Sequence, residues 1–244
     1  MNIDIEKYNE DYLRKYLDSS KLEEGLKRLK NGEPVQYIVG NVDFFEYNYD
    51  IDSRVLIPRF ETEELVARTI KYINKYFNGL VKIVDLGTGS GCIANTLSLK
   101  LDNSIVCAID ISTDAIDVAK HNSKKYNTDV KFINNDMLDG IKEKYDVIIS
   151  NPPYISVDEP IMDIVKNNEP SLALYASNNG LYFYDKILST CKNNLNDNYF
   201  IAFEIGQTQA SEVISLAHKY LSNIDVWSEK DLNGLDRYIF IKSK

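Results

Sequence analysis

The sequence predicts an α/β fold: a doubly wound, mostly parallel seven-stranded sheet, preceded by a short N-terminal helical segment and a β-hairpin. Three observations predict it. From Val81 onward, short apolar runs alternate with stretches of helical period, the order that builds parallel sheets through crossover helices. The runs Lys82-Ile83-Val84 and Val147-Ile148-Ile149 are continuous rather than alternating, as strands covered on both faces should be. A glycine-rich turn follows the first strand, at the sheet edge where such folds place ligands.

The elements follow in order. Residues 8–31 read as helix, with room for one or two, because Tyr12 and Tyr16, and then Leu22, Leu26 and Leu29, recur at three- to four-residue spacing among charges. Gly32-Glu33-Pro34 breaks that period. Residues 35–58 alternate apolar and polar and carry Tyr37, Phe44, Phe45, Tyr47 and Tyr49, which reads as a hairpin. Helical period returns over 61–77 and stops at Asn78-Gly79. The strands of the sheet are expected at 81–86, 104–109, 130–133, 145–150, 199–205, 224–227 and 237–241, with helices over 92–100, 113–126, 180–195 and 208–221. The Asn-rich stretch 193–198 reads as a turn. Three units result: a helical segment 1–33, a hairpin with connecting helix 34–78, and a catalytic domain 79–244.

Composition narrows the function. The chain has 244 residues, 44% hydrophobic and 27% charged, and is long enough to bury a core without disulfides or metal. No apolar run approaches the roughly 18–20 residues of a membrane span. The polar start Met1-Asn2-Ile3-Asp4-Ile5-Glu6-Lys7 lacks the features of a signal peptide, so a cytoplasmic location and no membrane partner are expected. Cys92, Cys107 and Cys191 are odd in number and widely spaced, which reads as buried reduced thiols. His121 and His218 form no ligand pair and read as solvated; no metal is expected. The net charge of −9 weighs against a nucleic-acid partner, whose enzymes neutralise phosphates with a basic surface, and fits a protein substrate.

Asp85-Leu86-Gly87-Thr88-Gly89-Ser90-Gly91 joins the first sheet strand to its helix. Glycines let the backbone turn sharply and approach a ligand, and the helix start offers free N–H groups. A dinucleotide fingerprint would place a third glycine at position 92, which is Cys. The observed spacing Gly-x-Gly-x-Gly fits S-adenosyl-L-methionine, whose product is S-adenosyl-L-homocysteine, so Gly87, Thr88, Gly89, Ser90 and Gly91 are candidate cofactor residues. Asp110 ends the second strand, about 20 residues on, where a carboxylate accepts both ribose hydroxyls. Its structural alternative is a helix N-cap, a role Ser112 or Thr113 fills better. Asp136-Met137 follows the third strand, where Asp136 can accept the adenine amino group while Met137 packs on the ring.

Asn151-Pro152-Pro153-Tyr154 follows the fourth strand. Two prolines fix two φ angles and end strand pairing, but a rigid stop leaves Asn and Tyr without a purpose. An amide or arylamine nitrogen is a poor nucleophile because its lone pair is delocalised. The Asn151 side-chain carbonyl and the Pro152 backbone carbonyl can each accept one N–H, orienting the NH₂ and favouring the positive charge that grows during attack. The stiff prolines hold those acceptors in place. Tyr154 can pack on a flat substrate group. Asn151, Pro152 and Tyr154 are therefore the candidate catalytic residues, and Asn151 also abuts the cofactor. The turn by itself does not choose among adenine, guanine and glutamine.

At these residues the chain resembles the peptide chain release factor N5-glutamine methyltransferases (the HemK/PrmC family), over about Gly32 to Arg237. Gly32–Gly40, Leu56-Ile57-Pro58-Arg59-Phe60-Glu61-Thr62-Glu63, Asp85–Ile93, Asn151–Ile155, Glu169-Pro170, Gly180-Leu181, Glu204-Ile205-Gly206-Gln207 and Gly234-Leu235-Asp236-Arg237 carry the resemblance. It implies a class I S-adenosyl-L-methionine-dependent fold and a target, the glutamine of the Gly-Gly-Gln motif of release factors. Gly87–Gly91, Asp110, Met137 and Asn151 would hold the cofactor, and Asn151, Pro152, Pro153 and Tyr154 the glutamine. Arg59 and Glu61 would line the substrate side, with Pro58 and Glu204 nearby. The chain departs from the family pattern at Phe60, where Pro is usual, and over 173–180, which lacks paired glycines. The helical segment before Gly32 is also shorter than the family's docking bundle. An adenine N6 or guanine N2 methyltransferase of nucleic acid is the competing reading, and a cofactor-holding module without catalysis is a third.

Overall fold

The computed structural model describes residues 5–244; the polar start at 1–4 lies outside the described residues. Helices α1 (Ile5–Tyr16), α2 (Ser19–Lys30) and α3 (Val35–Val39) precede a hairpin of β1 (Asn41–Phe44) and β2 (Tyr47–Asp50), and α4 (Phe60–Tyr76) leads into the main sheet. The helical stretch expected over 8–31 is divided into two helices. The chain breaks at Asp18, which takes an extended conformation as N-cap of α2. Folding back puts Tyr12 and Leu13 of α1 in one small core with Val35 and Ile38 of α3. The hairpin expected over 35–58 occupies 41–50. Val35–Val39 is instead helical and ends at Gly40, whose φ of 79° takes the left-handed C-cap.

The main domain alternates β3 (Val81–Leu86), α5 (Cys92–Lys100), β4 (Ser104–Asp110), α6 (Thr113–Tyr126), β5 (Val130–Asn134) and β6 (Tyr145–Ser150). An excursion follows, with β7 (Ile155–Ser156), α7 (Asp163–Asn168) and β8 (Tyr175–Ala176), before α8 (Tyr182–Thr190), β9 (Leu195–Glu204), α9 (Ala210–Tyr220), β10 (Ile224–Lys230) and β11 (Asp236–Ser243). The seven-stranded order is β10-β11-β9-β6-β3-β4-β5, with β11 antiparallel to both neighbours and the remaining pairs parallel. The mostly parallel, doubly wound sheet is thus as predicted. The Asn-rich turn is not: β9 begins at Leu195, because Leu195 pairs with Tyr145 across the sheet. Asn194 caps that junction by donating to the Ile141 and Glu143 carbonyls.

Successive strand residues face opposite sides. Ile83, Val106, Val147, Phe200 and Phe240 pack with α4, α5 and α6, whereas Val84, Ile148, Ile201 and Ile241 pack with α8 and α9. All of these strand residues are at most 1% exposed, which is why the runs are apolar without alternation. Burying a Leu or Phe side chain contributes about 1.5–3 kcal/mol, so the two-sided core fixes the strand register. The chain runs outward in opposite directions from β3: to β4 and β5 on one side, to β6 and β9 on the other. The loops after β3 and β6 therefore meet at a topological switch point, the place where such sheets open a crevice. The three cysteines are buried and unpaired, as expected.

Candidate active site

The loop after β3 is built around two carboxylates. Gly87 and Thr88 donate their N–H groups to the Ile109 carbonyl, at 2.8 and 3.0 Å. Gly89 N–H donates to Asp110 Oδ2 and Ser112 N–H to Asp110 Oδ1, both at 2.9 Å. Burial pushes the Asp110 carboxyl above its ordinary range, and those N–H groups oppose the shift. Ser112 is the N-cap of α6, accepting from Ala115 N–H, which leaves Asp110 at the rim of a cavity of about 250 Å³. Gly87 and Gly89 also line this cavity. Their φ angles are 75° and 54°, and a Cβ added at either would enter open space. Thr88, Ser90 and Gly91 do not line it. Thr88 is buried with its hydroxyl on Asp85 Oδ2 at 2.6 Å, Ser90 is buried, and a Cβ at Gly91 would lie 2.9 Å from that of Ala119. These three shape the loop and let α5 and α6 approach.

Asp136 and Met137 line the far side of the same cavity. Met137 sits at a φ of 52°, a left-handed conformation costly for a side chain of its size. Asn135 holds that turn by donating to the Met137 and Asp139 carbonyls. The Asp136 carboxylate accepts from Lys186 Nζ at 2.6 Å, so a cation already balances its charge.

The turn after β6 borders a second cavity of about 370 Å³. Asn151, Pro152, Pro153, Tyr154, Arg59 and Glu204 all line it. The two cavities share Leu56, Asn151, Pro153 and Ala173, so Asn151 stands at their seam. Asn151 Nδ2 donates to Thr62 Oγ1 at 3.0 Å, and Thr62 donates in turn to Glu204 Oε2 at 2.7 Å. With Nδ2 turned to Thr62, Oδ1 is the end of the amide available to the cavities that Asn151 lines. Burial raises the Tyr154 phenol, whose hydroxyl lies 3.5 Å from Glu204 Oε1. Burial likewise pushes the Glu204 carboxyl up to about 7. Arg59 donates to Glu169 Oε1 at 2.5 Å, and Ile57 N–H donates to Glu169 Oε2 at 3.1 Å, which pins the segment before α4 against the excursion. Glu61 and Pro58 border neither cavity; the Glu61 backbone carbonyl accepts from Tyr238.

Three residues of this architecture were not singled out from sequence: Thr62, Glu169 and Gln209. Thr62 and Glu169 sit inside segments that carry the family resemblance, which was the available signal. Gln209 had none. It donates to the Tyr154 carbonyl at 3.0 Å while accepting from Gly206 N–H, fixing the end of the turn. Among the described residues, no group of acidic, His or Cys side chains is arranged to hold a metal ion. Among them, too, no helix is long and apolar enough to cross a membrane.

The seven-stranded sheet, the glycine loop after its first parallel strand and the Asn-Pro-Pro-Tyr turn beside it define a class I methyltransferase. Residues 44–168 match the family described as Methyltransferase small domain. The chain is 43% identical over 223 residues to the release factor glutamine methyltransferase of Lactococcus lactis, covering 91% of this chain and 82% of that protein. It is 41% identical to that of Bacillus subtilis, covering 86% and 75%. This chain belongs to the release factor glutamine methyltransferase family. Its fold also matches the crystal structure of a methyltransferase from Pyrococcus furiosus, with a TM-score of 0.60 at 18% identity, covering 89% and 96% of the two chains.

Proposed function

We infer that this chain transfers a methyl group from S-adenosyl-L-methionine to the side-chain amide nitrogen of the glutamine in the Gly-Gly-Gln motif of peptide chain release factors. The observation that carries this reading is the position of Asn151 at the seam of two cavities, one lined by Gly87, Gly89 and Asp110 and the other by the Pro152-Pro153-Tyr154 turn. The names of the Lactococcus lactis and Bacillus subtilis relatives supply the substrate.

The first cavity fits the cofactor. The open space above Gly87 and Gly89 admits a ligand against bare backbone, and the Asp110 oxygens keep lone pairs for hydroxyl donors. Asp136 and Met137 would flank the adenine. When bound, the cofactor supplies an electrophilic methyl group. Asn151 Oδ1 and the Pro152 carbonyl accept the two N–H bonds of the glutamine amide, aim its nitrogen at the seam and favour the charge that develops there. Pro152 is buried and its ring fixes φ, so the acceptors need no reorganisation. Tyr154 packs on the flat amide, and Arg59 bounds the same cavity. The surplus proton on the methylated nitrogen is strongly acidic and leaves to solvent, so no catalytic histidine is required.

Mass spectrometry of a release factor incubated with the protein and labelled cofactor tests the reading. The label is expected on the Gly-Gly-Gln glutamine. Equal labelling of a factor whose tip glutamine is replaced by alanine would defeat it.

A further inference from the structure

Three elements that are distant in sequence converge behind Asn151. Glu204 ends β9, Asn151 follows β6, and Thr62 lies in the first turn of α4. Strand pairing matches Ser150 with Phe203, so the next residue on each strand, Asn151 and Glu204, falls at the same level of the sheet edge. Thr62 bridges them, accepting from Asn151 Nδ2 at 3.0 Å and donating to Glu204 Oε2 at 2.7 Å. Thr62 is 2% and Glu204 1% exposed, so water does not compete for these bonds. We propose that Glu204, through Thr62, is a positioning residue that decides which end of the Asn151 amide faces the substrate.

The reasoning is proton bookkeeping. A hydroxyl has one proton and can both donate and accept. A carboxylate has no proton, so Thr62 must give its own to Glu204. The hydroxyl then has only lone pairs to offer Asn151, and Asn151 must turn its NH₂ toward Thr62. Its carbonyl is thereby directed to the cavity, where a glutamine N–H needs an acceptor. If position 204 carries a proton, it can donate to Thr62 instead. Thr62 is then free to donate to the Asn151 carbonyl, and the amide can settle with its NH₂ toward the substrate, where it offers a donor to a donor.

The charged and titratable groups around Glu204 come from every neighbouring element. Arg237 of β11 favours its ionised form and Glu61 of α4 opposes it, while Tyr154 lies at 3.5 Å. Tyr184 of α8 donates to the Glu204 backbone carbonyl, and Tyr238 of β11 lies within its field. Arg237 is itself engaged by Asp231 and the Ile205 carbonyl, so it is held in place near the carboxylate without pairing with it. A carboxyl near neutrality at this point makes the orientation of Asn151 depend on pH.

This inference rests on the proposed glutamine methylation, and its test separates the two. The unaltered chain is assayed first on a release factor with saturating cofactor; absence of glutamine labelling refutes the activity. The relay has its own readout, which needs no substrate. The side-chain ¹⁵N amide resonance of Asn151 is expected to titrate near pH 7 in the unaltered chain and to stay fixed in E204Q. In single turnover, E204Q and T62V are each expected to lose about 10- to 100-fold in rate, with T62S restoring most of the loss in T62V. E204Q is expected to abolish the rise of rate with pH between 6 and 8 while KM for the release factor changes little. Because both variants interrupt one chain of bonds, the double variant should lose little more than either alone. Independent losses that multiply, or an Asn151 resonance indifferent to Glu204, would overturn the proposal.

Discussion

Gly180 lies so close to Tyr154 that a Cβ added at residue 180 would sit 2.1 Å from the Tyr154 carbonyl oxygen and 2.5 Å from Gln209 Nε2. The same oxygen accepts from Gln209 Nε2, so the glycine, the glutamine and the end of the Asn-Pro-Pro-Tyr turn form one packed contact. Gly180 also has a φ of 81°, which L-residues avoid. The variant Gly180→Ala must therefore bear conformational strain and displace backbone, at about 2–4 kcal/mol. Gly140→Ala is the control. Its φ is 70°, but nothing lies within 4 Å of the added carbon, and it should cost only about 1–2 kcal/mol. Urea denaturation of both variants checks the difference, and Gly180→Ala should also impair methyl transfer by shifting Tyr154.

Removing the Asn151 amide should separate chemistry from folding. Asn151→Ala loses one hydrogen bond, to Thr62, and leaves Pro152 and Pro153 to hold the turn. Loss of a transition-state acceptor of this kind typically lowers kcat by about 10²–10³. The thermal midpoint should move by only a few degrees, because a single net hydrogen bond contributes about 1 kcal/mol. Single-turnover label transfer, run beside a melting curve, distinguishes this from a variant that merely unfolds.

Sequence legibility followed contact distance along the chain. The strands β3, β4 and β6 were readable because burial on both faces writes itself as local apolar runs. The glycine loop and the Asn-Pro-Pro-Tyr turn could be placed at the sheet edge from sequence because each is a run of a few consecutive residues directly after a strand. Thr62 was not readable, since its role depends on Asn151 and Glu204, which are 89 and 142 positions away. Arg59 was placed on the substrate side from its motif, yet its partner Glu169, 110 positions on, needed the structure. The break between α1 and α2 falls in the six-residue step from Tyr16 to Leu22, masked by regular helical spacing on either side. The five-residue α3 was too short to show a period at all.

Stability should fall as pH rises from about 4 to 8. Asp85 and Glu204 are both buried, and burial is the main reason each carboxyl is raised to about 7 from ordinary values of 3.8 and 4.5. Between those limits the folded chain retains protons that the unfolded chain has released. The favourable contribution is complete below the ordinary values and is lost as pH passes about 7. Each group can account for on the order of 2–4 kcal/mol. Asp52, held low by Arg54, titrates below this window and does not cancel the trend. Asp85→Asn keeps an acceptor for Thr88 but has no proton to lose. Its urea midpoint should change less between pH 5 and 8 than that of the unaltered chain; an equal change would exclude Asp85 as a source.

The ion pair between Arg59 and Glu169 should matter more for the shape of the site than for its charge. Glu169 has a side chain only 2% exposed, whereas that of Arg59 is 34% exposed. Replacing Arg59 with alanine leaves a buried carboxylate that accepts from the Ile57 N–H group. Breaking a fully buried pair costs about 3–5 kcal/mol, and solvent access on the arginine side brings the expected loss to about 2 kcal/mol. Arg59→Lys keeps the charge but loses the planar fork, and should recover part of that stability. Both cavities use Leu56, next to the pinned Ile57, so loosening this segment should raise KM for cofactor and release factor together. Glu169→Gln, which retains an acceptor for Ile57 N–H, should be milder than Arg59→Ala in urea denaturation. A larger loss for the glutamine variant would show that the carboxylate charge, rather than the backbone tether, holds the segment.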